Sequence, residues 1–213
     1  MTAAARAHGA IPGRAPRVGI FGGAFDPPHA SHVKLAQDAI GELELDRLIV
    51  VPTGQAWHKT RSLSGAEHRV AMTELAFAGI AGVLVERNET LREGPSYTFD
   101  TLWEISRREP SAKLFLLIGE DQAQALAGWH RCPELLSLAT ICVASRNGSA
   151  ATAAGPFEFE RWAQARVLRL HCRLEPISAT EIRSRVARGQ GVVPLVSEAV
   201  ARYIDQHHLY QTA

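Results

Sequence analysis

The sequence predicts a doubly wound α/β fold: a mostly parallel sheet with helices on both faces and a small helical part at the C-terminal end. Three observations carry this. Short apolar runs of strand length recur along the chain, and amphipathic stretches with helical spacing lie between them. Several of the runs are continuously apolar rather than alternating, as strands covered on both faces should be.

In chain order, Arg17–Phe21 reads as a first strand, ending in Gly22-Gly23. Val33, Leu35, Ala36, Ala39, Ile40 and Leu43 follow with helical spacing. Arg47–Val51 is a second strand, stopped by Pro52, and Val70, Ala71, Leu75 and Ala78 mark a second helix. Gly82–Glu86 is a weaker third strand. Tyr97–Arg107 reads as a helix with Phe99, Leu102, Trp103 and Ile105 as its apolar members. Leu114–Ile118, Thr140–Ala144 and Arg166–Leu170 complete six strands, and Ala179–Arg188 and Ser197–Gln206 are two tail helices. Repeated β-α-β units with right-handed crossovers put every strand's C-terminal end on one side, which is a Rossmann-like arrangement. The loops after Phe21, Val51, Ile118 and Ala144 should then face one cleft.

The chain has 213 residues, 46% of them apolar and 21% charged, which suits one domain with a proper core. Residues 1–16, rich in Ala, Arg, Gly and Pro, read as a disordered tail without the apolar core of a secretory signal. Residues 17–213 read as the domain, its last ~35 residues a helical subregion. The stretch 147–156 reads as a flexible loop. No apolar run approaches membrane-spanning length, and a net charge of +1 argues against a nucleic-acid partner. Three cysteines without a C-x-x-C pair fit core thiols in a reducing compartment, so a cytoplasmic protein is expected. A homo-oligomer stays open.

The most informative stretch is Gly22-Gly-Ala-Phe-Asp26-Pro-Pro-His29-Ala-Ser-His32. It joins a predicted strand to a predicted helix. Gly22 and Gly23 let backbone pass close to a ligand. A helix start offers N–H groups and a positive dipole end, both suited to phosphate. His29 and His32, three apart, share one face of the first turn and can donate to phosphate oxygens. Asp26 and Pro27 are expected to fix the turn and help cap the helix. No third ligand is evident for a protein-held metal. Far along the chain, Ile177-Ser-Ala-Thr-Glu-Ile-Arg183 places Ser178 or Thr180 at a helix start and Arg183 on the same side of its first turn. Ser178 with Glu181 also reads as a capping box.

The first string resembles the (H/T)xGH signature of the nucleotidylyltransferase superfamily, with Ser31 where that family usually has Gly. The second resembles its IS(A/S)TxxR motif. Pro95-Ser-Tyr-Thr98 with Thr101-Leu102, Ile118-Gly-Glu-Asp121 with Trp129, Val143-Ala-Ser-Arg146-Asn-Gly148, and Tyr203–Tyr210 are similar, in order, to segments of bacterial-type nicotinate-mononucleotide adenylyltransferases. The resemblance implies AMP transfer from ATP to nicotinate mononucleotide, giving deamido-NAD and pyrophosphate in NAD biosynthesis. Mg²⁺ would be bound through the ATP phosphates. It implies Gly22, Gly23, Phe25, His29, His32, Arg146, Ser178, Thr180 and Arg183 at ATP, with His32, His29 and Arg183 as the catalytic groups. It implies Tyr97, Thr98, Asp121, Trp129, His58 and Lys59 at the acceptor, Trp129 stacking on the pyridine ring. An adenylyltransferase for nicotinamide mononucleotide or phosphopantetheine, or a non-catalytic ATP-binding sensor, stays open.

Overall fold

The computed structural model describes residues 13–54, 63–144, 156–172 and 175–211. Its six strands are β1 (Arg17–Gly23), β2 (Arg47–Pro52), β3 (Val83–Val85), β4 (Lys113–Gly119), β5 (Ala139–Ala144) and β6 (Val167–Leu170). They form one sheet in the order β3-β2-β1-β4-β5-β6, and every pairing is parallel. The chain winds outward from β1 to β3, then crosses back to build β4 on the other side. That reversal lies between β1 and β4, where a crevice opens at the strands' C-terminal ends.

Side chains on each strand alternate between two cores. Val18, Ile20, Ile49, Val51, Leu116 and Ile118 face α4 (Thr98–Arg108) and α6 (Cys132–Leu138), with Phe99, Leu102, Ile105, Leu135 and Leu136 as their partners. Phe21, Leu48, Val50, Phe115 and Leu117 face α1 (Ala30–Glu42), which contributes Leu35, Ala36 and Ala39. A third cluster joins Met72 of α2 (Ala66–Phe77) to Ile182 of α7 (Ala179–Ala187) and to Val200 and Ile204 of α8 (Glu198–Gln206). It ties the C-terminal helices to the body of the domain. Burying each of these larger side chains is worth roughly 1.5–3 kcal/mol.

The structure departs from the sequence reading in several places. Trp103, expected among the apolar members of α4, is 48% exposed, lying flat along Phe99 with Arg107 over its ring. The continuous-run rule holds for the central strands but not at the edges, where Leu84 of β3 and Leu168 of β6 are exposed. The expected tail is shorter at its inner end. Arg14 pairs with Glu44 and Asp46 at 3.1 Å each, and the Pro16 carbonyl accepts from the Lys113 amide at 2.7 Å. Residues 1–12 and the Gly/Ala-rich stretch through Gly155 lie outside the described residues. Two helices that line the site, α3 (Asn88–Leu91) and α5 (Glu120–Ala125), have no counterpart in the periodicity, and neither does α6.

The cysteines behave as expected. All three are buried, and burial pushes the Cys132 thiol up to about 11 and Cys142 up to about 12. None of the described helices is long and apolar enough to cross a membrane.

Candidate active site

β1 delivers the chain into the Gly-rich turn. A Cβ on Gly22 would meet nothing within 4 Å, so its backbone faces open space. A Cβ on Gly23 would come within 2.9 Å of the Phe25 ring, so glycine there lets that ring fold back. Phe25 is buried, and its ring packs edge-on against Phe21, Phe77 and His32. The Phe25 ring backs His32 at 5.1 Å between centroids.

His29 is the N-cap of α1, and His32 is at the third helical position. Their rings stack at 3.7 Å between centroids. The His29 amide donates to His32 Nδ1 at 3.2 Å. With Nδ1 accepting, the neutral His32 ring carries its proton on Nε2, as a donor. The expectation of open amides at this helix start needs correction. The His29 amide is taken by His32, and the Ala30 amide donates to the Leu195 carbonyl at 2.9 Å. Imidazoles and the dipole, more than a full set of amides, are what α1 offers an anion. Asp26 does not cap α1 either: its carboxylate accepts from the Tyr210 hydroxyl at 2.7 Å and the Ser64 amide at 3.3 Å.

Ser31 Oγ donates to the Glu175 carbonyl at 2.9 Å, tying the first turn of α1 to the segment before α7. On α7, Ser178 Oγ accepts from the Glu181 amide at 3.2 Å, half of the expected capping box. The Glu181 carboxylate instead pairs with Arg185 at 2.9 Å. Arg183 reaches back across the chain. Its Nη1 donates to the Asp26 carbonyl at 2.7 Å and its Nη2 to Thr180 Oγ1 at 3.1 Å. The fork of one guanidinium thus joins the two motifs, 157 residues apart.

The opposite wall comes from elements that pack on the other face of the sheet. Tyr97 is the N-cap of α4 and Thr98 its first residue. Asp121 lies in the first turn of α5, and Trp129 ends the short turn Leu126–Gly128, half-buried against the α4–α6 core. The two walls enclose one cavity of about 910 Å³, within the range of small-molecule sites. Gly22, Gly23, Phe25, His29, His32, Ser178, Thr180 and Arg183 line it, and so do Tyr97, Thr98, Asp121 and Trp129. Arg146, His58 and Lys59 lie outside the described residues.

Sequence reasoning missed four residues here. His130 stacks on Tyr97 at 4.2 Å in the cavity wall. Arg69 of α2, 2% exposed, donates to the carbonyls of Ala24, Thr53 and Ser64 at 2.7–3.0 Å. Burial disfavours its charge, and Asp26 nearby offsets that in part. Tyr210 binds Asp26 as described. Glu89 is buried under the loop after β2, accepting from Thr101 Oγ1 at 2.7 Å. Gly54 passes so close to it that a Cβ would lie 2.1 Å from the Glu89 carbonyl oxygen. None of the four carries a local signal in the sequence, because its partners are set only by the fold.

Desolvation raises the Glu89 carboxyl above the usual carboxylate range, despite hydrogen bonds from Thr101 and Gly54. The fold therefore favours its protonated form. Its contribution to stability is complete below the unfolded value and is lost as pH rises through the raised one. Glu89→Gln, neutral at every pH, should gain Tm relative to the wild type as pH goes from 4 to 7. Thermal melts of both proteins at those pH values check this; a difference constant with pH would refute it.

A doubly wound sheet whose switch-point cleft gathers paired imidazoles and a helix-borne arginine defines a nucleotide-binding transferase of the nucleotidyltransferase class. The cytidylyltransferase-like family model matches residues 20–185. A protein from Albidiferax ferrireducens named "Probable nicotinate-nucleotide adenylyltransferase" is 54% identical over 92% of this chain and 99% of its own. One of the same name from Methylibium petroleiphilum is 43% identical over 91% and 92%. The chain belongs to the cytidylyltransferase-like family and, within it, to the nicotinate-nucleotide adenylyltransferases. The fold matches a Plasmodium falciparum nicotinic acid mononucleotide adenylyltransferase complexed with NaAD, with a TM-score of 0.72 at 19% identity over 92% of this chain and 97% of that one.

Proposed function

We propose that this enzyme transfers AMP from ATP to the phosphate of nicotinate mononucleotide, releasing pyrophosphate and forming deamido-NAD. The observation that carries the reading is the contact between Arg183 and the Asp26 carbonyl, which sets both phosphate-type motifs on one wall of a cavity. Thr98, Asp121 and Trp129 line the other wall, where a second nucleotide would sit in this reading.

In this reading a phosphate oxygen of the mononucleotide attacks the α-phosphorus of ATP in line. The bond from that phosphorus to the bridging oxygen breaks, and its electron pair leaves with pyrophosphate. The nucleophile is already an anion, so no covalent enzyme intermediate is needed. The obstacle is repulsion between two anions, and catalysis consists of positioning and charge stabilisation. His32 Nε2–H and His29 meet the charge developing around the α-phosphate. Arg183, Thr180 and Ser178 hold the outer phosphates, with Gly22 and Gly23 passing beneath. Thr98 and adjacent backbone receive the pyridine carboxylate, with Tyr97 alongside, while Trp129 stacks on the ring and Asp121 binds a ribose hydroxyl. Arg146, His58 and Lys59 keep their proposed roles at ATP and the acceptor.

Mg²⁺ belongs to the substrate in this reading, arriving on the phosphates of ATP. Among the described residues, no group of three or more His, Cys, Asp or Glu side chains gathers for an ion. Its contribution would be neutralisation of charge on the triphosphate.

The test is pyrophosphate release with ATP and each candidate acceptor. Nicotinate mononucleotide should give a higher kcat/KM than nicotinamide mononucleotide, because a carboxylate gains more from amide donors than a carboxamide does. Equal efficiency on the two would overturn the acceptor assignment. Release with phosphopantetheine alone, or with no acceptor, would overturn the reaction.

A further inference from the structure

Asp26 lies in the Gly-rich turn, and the proposed reaction makes no direct use of its carboxylate. It is 2% exposed. Tyr210, beyond the end of α8, donates to Oδ1 at 2.7 Å. Ser64, just before α2, donates its amide to Oδ2 at 3.3 Å. Arg183 donates to the Asp26 main-chain carbonyl at 2.7 Å. One residue thus receives donors from three separated parts of the chain, one of them the arginine proposed to grip phosphate.

The surroundings make this node stiff. Arg69 holds the Ser64 carbonyl at 3.0 Å and the Ala24 carbonyl at 3.0 Å, so the segment that donates to Asp26 and the turn just before Asp26 are both pinned. The Tyr210 ring packs against the cluster of Met72, Ile182 and Ile204, which also anchors α7. The hydroxyl therefore connects the helix carrying Arg183 to the turn that the arginine touches.

We infer that Asp26 and Tyr210 are positioning residues: the Tyr210 hydroxyl locks the Asp26 peptide at the distance that places the Arg183 guanidinium for the triphosphate. This rests on the proposed role of Arg183 at ATP. Without the hydroxyl, the carboxylate keeps its Ser64 donor and loses its tether to the C-terminal helices. The carbonyl that orients Nη1 can then shift. A misplaced guanidinium should weaken handling of ATP and leave the opposite wall, with Thr98 and Trp129, untouched.

The experiment is a double-mutant cycle on the full-length chain, read by pyrophosphate release, with circular dichroism melts alongside. Tyr210→Phe keeps the ring and removes only the hydroxyl. It should fold and lose about tenfold in kcat/KM for ATP, with KM for the mononucleotide within about twofold of wild type. In an Arg183→Met background the same change should cost less than about twofold, because the group it acts through is gone. Asp26→Asn, which keeps shape but replaces one of the two acceptor oxygens by an NH2 donor, should show the same pattern in weaker form. Wild-type kinetics in either folded variant overturns the inference, as do additive losses in the Arg183→Met background or equal losses on both substrates. A variant unfolded at 25 °C overturns it as well, by making the network a determinant of folding rather than of position. These results are distinct from failure of the proposed function, which wild-type enzyme releasing no pyrophosphate with nicotinate mononucleotide would show.

Discussion

His32→Ala is expected to lower turnover by about 10²–10³ while leaving a folded protein, the usual cost of deleting one preorganised donor at a phosphoryl or acyl centre. The imidazole is fixed before substrate arrives. Its Nδ1 accepts from the His29 amide, one face lies on the His29 ring, and the Phe25 ring closes on its edge. A donor held this way needs no reorganisation as charge develops, so its loss falls on kcat more than on binding. The structural cost is one hydrogen bond, about 0.5–1.5 kcal/mol, together with the ring's packing on His29 and Phe25, so Tm falls by several degrees in a chain of this size. Steady-state turnover with both substrates saturating, beside a melt of the same preparation, measures both. Undiminished turnover in the folded variant would remove His32 from the reaction. His32→Gln separates donation from ring packing: if the lost donor is what matters, an amide there restores part of the rate.

How much of this was legible beforehand depended on whether a residue's environment is local or assembled. β1, β2, β4 and β5 announced themselves because a strand covered on both faces needs an unbroken apolar run, and 18–21, 48–51, 114–118 and 141–144 supply one. α1 and α7 were legible because each follows a turn with recognisable chemistry. By contrast, α3, α5 and α6 are four to seven residues long, too short for a helical period to repeat. Trp103 had helical spacing with Phe99 and Leu102, but spacing alone does not say which edge of an apolar stripe ends in water. The cleft residues came from motif resemblance joined to the rule that ligands sit at the switch point. The supporting residues did not. Arg69 gains its meaning only when the fold brings Ala24, Thr53 and Ser64 around it, and Tyr210 only from Asp26, 184 residues away.

Arg183 tests the joining of the two motifs most directly. Its fork spans an acceptor on each motif, the Asp26 carbonyl and Thr180 Oγ1. A lysine keeps the charge but is a single flexible donor centre and cannot hold both acceptors in one plane. Arg183→Lys is therefore expected to lose at least about tenfold in kcat/KM for ATP, and Arg183→Met about 10² or more. KM for the mononucleotide should stay near wild type, because Thr98 and Trp129 belong to elements packed on the other face of the sheet. The burial pattern permits the change without unfolding: Ile182, beside it, is the α7 residue that enters the C-terminal core, while Arg183 lies half-exposed at the cleft. Initial rates with each substrate varied in turn decide the matter. Full activity in Arg183→Lys would mean that charge without geometry suffices. An equal loss on both substrates would mean that the arginine holds the fold of the cleft rather than the triphosphate.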